Sequence, residues 1–305
     1  MKKSKIAVIG SFVVDLTSRA GRLPVAGETV KGTVFKLGPG GKGSNQAVAA
    51  HRAGADMILA TKVGNDVFGR VALDFYENEN MDTSYVFIDQ EKETGTALIM
   101  VDEVSGQNQI LVVSGACDHI TDEEIDKLKK VIEESEFILL QLEINMDAIE
   151  KVIEIAHQMG KTVVLNTAPA HELSDELLSK VDIITPNETE AEVLTGVKIQ
   201  SEADAEKAAV VLMQRGVKNV VITLGKSGVF VMTADKKKMI APLKVKVVDT
   251  TGAGDAFNGG FVTALAEGMD IFEAAWFGNV VGSLSVTKLG TAPAMPYRDE
   301  IDKNL

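Results

Sequence analysis

The chain has 305 residues, 45% hydrophobic and 25% charged, the make-up of a soluble globular protein. Its formal net charge of −13 argues against a general binder of nucleic acid or of membrane surfaces, although a locally positive pocket could still hold an anionic substrate. Cys117 is the only cysteine, which excludes an intrachain disulfide and fits a reducing cytoplasm, and no apolar stretch approaches the roughly 18 residues of a membrane span.

The opening Met-Lys-Lys-Ser-Lys superficially resembles a signal n-region, but the apolar run over 6–14 is short and broken by Gly10 and Ser11. It reads as a first buried strand, over 5–10. Residues 11–37 read as strand, loop and strand around a turn-rich centre, followed by a glycine-rich loop at 38–45 and a small-residue helix at 46–53. A strand at 57–63 and a helix at 66–80 follow. Over 84–115 three β-rich runs (85–88, 96–102 and 109–113) have turn residues but no helix between them, which predicts a small antiparallel sheet. Paired with the strands at 12–37, it would form one projecting element.

After residue 118 the rhythm becomes regular. Helices at 121–134, 146–160, 174–178, 188–194 and 202–216 alternate with β-branched strands at 137–141, 162–166, 182–185 and 219–224. Such alternation predicts a mostly parallel sheet covered on both faces. Ligands on such sheets sit outside the carboxyl ends of the strands. Gly10, Glu143, Asn166, Asn187, Gly225 and Asp255 all fall just after predicted strands, so the pattern gathers polar groups along one rim.

The stretch Asp249-Thr-Thr-Gly252-Ala253-Gly254-Asp255 follows a β-branched run (Val245, Val247, Val248), read as a strand end, and precedes apolar residues at helical spacing. A carboxylate beside the unpaired N–H groups of a helix start can take a proton from a hydroxyl while those groups hold developing negative charge. An ordinary strand–turn–helix junction with an acidic cap reads equally well on local grounds. Gly38 to Gly43 formally matches G-x-G-x-x-G, but the first strand ends at Gly10 and Asp56 precedes the next strand, so dinucleotide binding is rejected. Close backbone approach to a polyhydroxy ligand, with Lys42 and Asn45 hydrogen-bonding it, fits better. Neither Gly-Lys-Thr at 160–162 nor Gly-Lys-Ser at 225–227 has the glycine five residues earlier that a Walker A loop needs. The four histidines (His51, His119, His157, His171) have no metal-ligand spacing, and Trp276 lies in an apolar helix as core. Asn187-Glu-Thr-Glu190 reads as a capping box, or as a means of orienting hydrated magnesium through Glu190.

Together these residues resemble the ribokinase family of the phosphofructokinase-B superfamily, over nearly the whole chain. Gly40-Gly41-Lys42-Gly43-Ser44-Asn45-Gln46-Ala47 looks like its sugar signature, and Asp249-Thr-x-Gly-Ala-Gly-Asp255 its catalytic signature. Asn187-x-x-Glu190 and Thr223-Leu224-Gly225-x-x-Gly228 are similar to its magnesium–phosphate motif and its ATP loop. The resemblance implies a single ribokinase-like domain over 1–305, α/β, with a doubly wound, mostly parallel sheet flanked by helices. It also implies a small antiparallel β lid, formed by about 12–37 and 84–115 and often shared in a homodimer. The implied activity is ATP-dependent phosphorylation of a pentose 5-hydroxyl, with Mg²⁺ and a monovalent activator, usually K⁺. Asp255 would be the base and Gly252, Ala253 and Gly254 the anion hole. Val13, Asp15, Gly41, Lys42, Gly43, Ser44, Asn45 and Glu143 would surround the sugar. Asn187, Thr223, Leu224, Gly225, Lys226, Ser227, Gly228, Gly254 and Asn279 would line the nucleotide site, and Glu190 would serve magnesium. Asp249, Thr251, Ser285, Lys288, Gly290 and Ala294 would surround potassium, some through backbone carbonyls.

Two departures stand out. Ribokinases typically read Gly-Ser-x-Asn-x-Asp after the first strand; here the stretch is Gly10-Ser11-Phe12-Val13-Val14-Asp15. Valine cannot make an asparagine's hydrogen bonds, so the site suits a sugar lacking a hydroxyl, as in the deoxyribokinase branch. The expectation is that 2-deoxy-D-ribose is a good substrate. Ala294 stands where the family often has serine, leaving backbone ligands for the cation. Other sugar or nucleoside kinases, and a sugar sensor without turnover, are the rival readings.

Overall fold

The computed structural model describes residues 4–305, so the first residues of the basic start lie outside the described residues. In chain order the first third runs β1 (Ile6–Ile9), β2 (Val13–Ala20), β3 (Val34–Gly40), α1 (Lys42–Arg52), β4 (Met57–Gly64), α2 (Val67–Asn78), β5 (Val86–Asp89), β6 (Thr94–Asp102) and β7 (Asn108–Gly115). The middle continues α3 (Asp122–Glu134), β8 (Phe137–Leu140), α4 (Met146–Gln158), β9 (Thr162–Leu165), α5 (Asp175–Leu178), β10 (Ile183–Ile184), α6 (Glu188–Thr195), α7 (Glu202–Gln214) and β11 (Asn219–Thr223). The chain closes with β12 (Val229–Met232), β13 (Lys237–Ile240), α8 (Ala253–Ala266), α9 (Ile271–Ser285) and α10 (Arg298–Asp302).

The main sheet has nine strands in the order β13-β12-β11-β10-β9-β8-β1-β4-β5. From β11 to β5 every pairing is parallel, and β12 and β13 add an antiparallel edge. The central strands are apolar and buried but for the half-buried Phe137 and Thr162 at the starts of β8 and β9, as strands covered by helices on both faces must be. Several helices start on a side chain that satisfies a free N–H: Thr121, Asn187 and Asp270 form complete capping boxes. No helix of the described residues is long and apolar enough to cross a membrane.

A second sheet, β3-β2-β6-β7, projects from the first as the lid. Its outer pairs are antiparallel, but β2 and β6 run parallel, because the chain between them crosses through the main sheet and returns in the same sense. The run at 85–88 expected in the lid belongs to the main sheet instead, where β5 pairs with β4. One lid face carries a row of Leu37, Leu16, Leu98 and Leu111 beside Phe35 and Met100. Phe35 and Leu111 there are 64% and 62% exposed. The other face carries Val13 and Asp15 towards the rim of the main sheet.

Two further expectations need correction. The glycine-rich stretch is not a loop up to residue 45. α1 begins at Lys42, capped by Gly41 at φ +87°, a conformation that side chains resist, and Gly43 packs directly on the backbone of Gly10 and Ser11. Residues 245–248 form no strand. β13 is the edge and has no further partner, and Val248 and Asp249 donate their N–H groups to Val286 O instead.

Candidate active site

α1 and α8 pack against each other with their N-termini at the rim of the main sheet. Gly259 of α8 lies so close to Ala49 and the Gln46 carbonyl that a Cβ there would collide. This contact brings the two signature stretches together. Asn45 Nδ2 donates to Asp255 Oδ2 at 2.9 Å and Gln46 Nε2 donates to Asp255 Oδ1 at 3.0 Å. Asp255 is buried, 7% exposed, in the first turn of α8. Gly252 caps that helix at φ +76°, where a side chain would be strained. Ala253 N–H turns back to Thr250 O, and the first helical closure is Ala256 N–H to Gly252 O. The N–H groups of Gly254 and Asp255 are left without a backbone acceptor. Burial pushes the Asp255 carboxyl up; Lys42 and the Gln46 and Asn45 amides oppose it.

Around this carboxylate the structure gathers Lys42, Glu143 and Asp15. Glu143 Oε2 accepts from Ser11 Oγ at 2.6 Å and from Lys42 N–H at 2.9 Å, and the Lys42 ammonium lies 3.8 Å from Glu143 Oε1. Burial works against the charge on Lys42, but Asp255, Glu143 and Glu190 outweigh it and hold its pKa above the usual value. Asp15 is pushed up to about 7, chiefly by burial, with Glu143 and Asp255 adding to the rise and a hydrogen bond from Thr291 opposing it. Thr291 Oγ1 lies 3.2 Å from Asp15 Oδ2 and 3.1 Å from Pro39 O, tying the lid to the segment after α9. Val13 is buried against Gly95. Ser44 is fully buried and contributes its backbone N–H, to Ser11 O. Beside this cluster a cavity of about 390 Å³ lies between the lid strands and the segments at 248–251 and 289–293, lined by Asp15, Gly38, Asp249, Gly290 and Thr291, among others, but not by Asp255.

Farther along the rim, Asn187 and Thr223 meet in an isolated parallel bridge. Leu224 N–H closes on Gly228 O at 2.8 Å, making a tight turn of Gly225, Lys226 and Ser227. Asn279 Nδ2 anchors the end of β13 by donating to Ala241 O at 2.9 Å. Glu190 completes the α6 capping box with Asn187, and burial pushes its carboxyl up. Among the described residues no group of three or more His, Cys, Asp or Glu side chains is placed to hold a metal ion by itself. The donor set at Glu190, one carboxylate, fits a magnesium ion that keeps most of its waters and takes its remaining ligands from phosphate.

Asp249 Oδ1 accepts from Thr251 N–H and Oγ, and Oδ2 accepts from Gly290 N–H at 3.1 Å. The Lys288 ammonium is engaged by Glu300 at 2.6 Å, and the Ser285 hydroxyl donates to Gly282 O. What Lys288, Gly290 and Ala294 can offer a cation is therefore their carbonyls, a hard-oxygen set with one carboxylate. Sequence reasoning passed over Ser11, Gln141, Thr291 and the side chain of Gln46. Ser11 and Gln46 had a signal, their places inside the Gly10–Asp15 stretch and the glycine motif.

The model of the pfkB family carbohydrate kinases matches residues 3–298. The chain belongs to that family. It is 42% identical to the ribokinase of Haemophilus influenzae, over 98% of this chain and 97% of that protein. It is 36% identical to the deoxyribokinase of Salmonella typhi, over 98% of each. A solved structure of Arabidopsis thaliana ribokinase with ribose and ATP superposes with a TM-score of 0.90 at 29% identity, covering 99% of this chain and 98% of that one. As a pfkB kinase the chain is an ATP-dependent carbohydrate kinase.

Proposed function

We propose that this pfkB kinase phosphorylates a pentose at its 5-hydroxyl, taking D-ribose and 2-deoxy-D-ribose as substrates. The observation that carries the reading is the buried Asp255 carboxylate, held by Asn45 and Gln46 of the sugar motif at the start of α8. Relatives named for both sugars, at 42% and 36% identity, support it. The O5 proton passes to the Asp255 carboxylate as O5 bonds to the γ-phosphorus. The bond from that phosphorus to the β–γ bridging oxygen breaks, and ADP leaves with the electron pair. The free N–H groups of Gly254 and Asp255, with Gly252 and Ala253 shaping the turn, receive the charge that develops on the phosphoryl oxygens. Lys42, Asn45, Glu143 and Asp15 orient the sugar, and the turn at Gly225 to Gly228 with Asn187 and Asn279 lines the nucleotide. Magnesium beside Glu190 would neutralise phosphate charge, and a potassium ion among Asp249, Thr251 and the carbonyls at 285–294 would stiffen the turn below Asp255.

ADP release across ribose, 2-deoxyribose, fructose and adenosine tests this reading. Turnover confined to fructose or adenosine moves the chain to another branch, and none with any of them leaves a sugar sensor. Val13→Asn is expected to shift the ratio of kcat/KM towards ribose. An unchanged ratio removes Val13 as the discriminator.

The lid's exposed apolar face suits a second copy of this chain. Leu111→Glu is expected to convert a dimer to a monomer in light scattering. A wild-type monomer at the same concentration would refute the pairing.

A further inference from the structure

Gln46 is fully buried in the first turns of α1, facing the C-terminal ends of β8, β9 and β10. Its Nε2 lies 3.0 Å from Asp255 Oδ1 and 2.9 Å from Asn166 Oδ1, and its Oε1 lies 2.7 Å from Gln141 Nε2. Asn166 Nδ2 in turn donates to Thr185 O at 2.8 Å. Thr185 Oγ1 donates to Asn258 Oδ1 at 2.6 Å, and Asn258 Nδ2 to Gly254 O at 2.8 Å. An ionised carboxylate and a backbone carbonyl can only accept. Asp255 at one end therefore fixes which atom of Gln46 is nitrogen, and Thr185 O fixes Asn166 at the other. The carboxamides have one consistent sense: turning Gln46 or Asn166 sets oxygen against oxygen and leaves a buried acceptor without its donor.

We propose that Gln46 is a positioning residue for the catalytic carboxylate: without touching the sugar, it holds Asp255 in one orientation and keeps it as an acceptor, through an amide whose own sense Gln141 and Asn166 fix. The proposal rests on Asp255 being the base. Asp255 Oδ1 and Oδ2 each take one amide, from Gln46 and Asn45, leaving lone pairs on both for a hydroxyl. The charged groups that bear on it are Lys42, Glu143, Glu190 and Asp15. Gln46 is neutral, so its contribution separates from theirs. A donor to the ionised form favours that form, and its removal moves the titration of the base upward.

Gln46→Met keeps length and deletes the amide; Gln46→Glu keeps shape and adds a second carboxylate. In both, kcat is expected to fall about 10- to 100-fold and the acidic limb of kcat/KM to move to higher pH, further for Gln46→Glu. Sugar Kd by calorimetry, at a pH above both limbs, should change less than about threefold. Gln141→Met, one bond farther from the base, should shift the limb the same way by less, and it stands in if Gln46→Met does not fold. The Asp255 carboxyl resonance, identified by its loss in Asp255→Asn, should titrate at higher pH in Gln46→Met. That readout holds whichever sugar the enzyme uses. Unmoved acidic limbs with an unmoved Asp255 titration overturn the role of Gln46, whereas absence of pentose turnover in the wild type overturns only the pentose reading.

Discussion

The two ends of the polar rim of the main sheet are built by opposite means. Around the carboxylate proposed as base, side chains do the holding: Asn45 and Gln46 from the first turns of α1 each donate to Asp255 of α8, while Glu143, from the loop after β8, accepts from Ser11 and from the Lys42 N–H, and all of them are buried or half-buried. Where the nucleotide is to lie, the structure offers backbone: a tight turn at Gly225 to Gly228, an isolated strand bridge, and the exposed side chains of Lys226 and Ser227. Proton transfer needs one atom placed to a fraction of an ångström, and a packed side-chain network supplies that. Phosphates are recognised by N–H groups that any residue carries, so glycine and geometry suffice.

That contrast predicts where substitutions hurt. The largest effect belongs to Asp255→Asn: kcat should fall about 1,000-fold or more. Asparagine there removes a buried charge but turns an NH2 towards the Asn45 or Gln46 amide, so the two effects oppose each other and Tm should change little. Retention of most of the activity in an ADP-release assay would remove Asp255 as base. Next comes the lid contact. Thr291→Val deletes the hydroxyl bonded to Asp15 and Pro39. It should raise sugar KM about tenfold while leaving kcat and ATP KM within about twofold, with Thr291→Ser restoring the wild-type value. An unchanged sugar KM would mean that Asp15 is held by the lid alone.

The smallest effect is a matter of pH. Asp15 titrates near 3.8 when unfolded and about 7 in the fold. Between those values the native state binds more protons than the unfolded one. The contribution is fully present below the lower value and is lost as pH rises through the upper one. The sugar-free wild type should therefore lose Tm relative to Asp15→Asn as pH rises across that window, while the variant binds sugar more weakly. Parallel Tm curves would show Asp15 to be better solvated than its surroundings indicate.

What was legible in the sequence follows the same division. The helix–strand alternation after residue 118 gave the parallel sheet because each strand there is a self-contained apolar run. The rim glycines and acids stood out because their positions follow strands. Pairing was not legible. Nothing local in Val-Phe-Ile-Asp says that β5 joins β4 rather than the lid, or that β2 and β6 run the same way, since register is settled by partners far along the chain. The short hairpin of β12 and β13 escaped because its turn residues, Ala234, Asp235 and Lys236, lack the usual glycine signal. Gln46 stood inside the glycine motif, but its bond to Asp255 joins residues 209 positions apart, and Thr291 lies 276 positions from the Asp15 it serves.

The bond between Asp15 and Thr291, like that between Asn45 and Asp255, joins the start of the chain to its closing segments. A nascent chain extruded as far as Ile240 owns every strand of the main sheet but not yet Asp255, the carboxylate proposed as base. Translation thus delivers architecture first and chemistry last. A message cut short before α8 would yield the strands of the main sheet without Asp255 and without the two helices, α8 and α9, that pack on them and on α1.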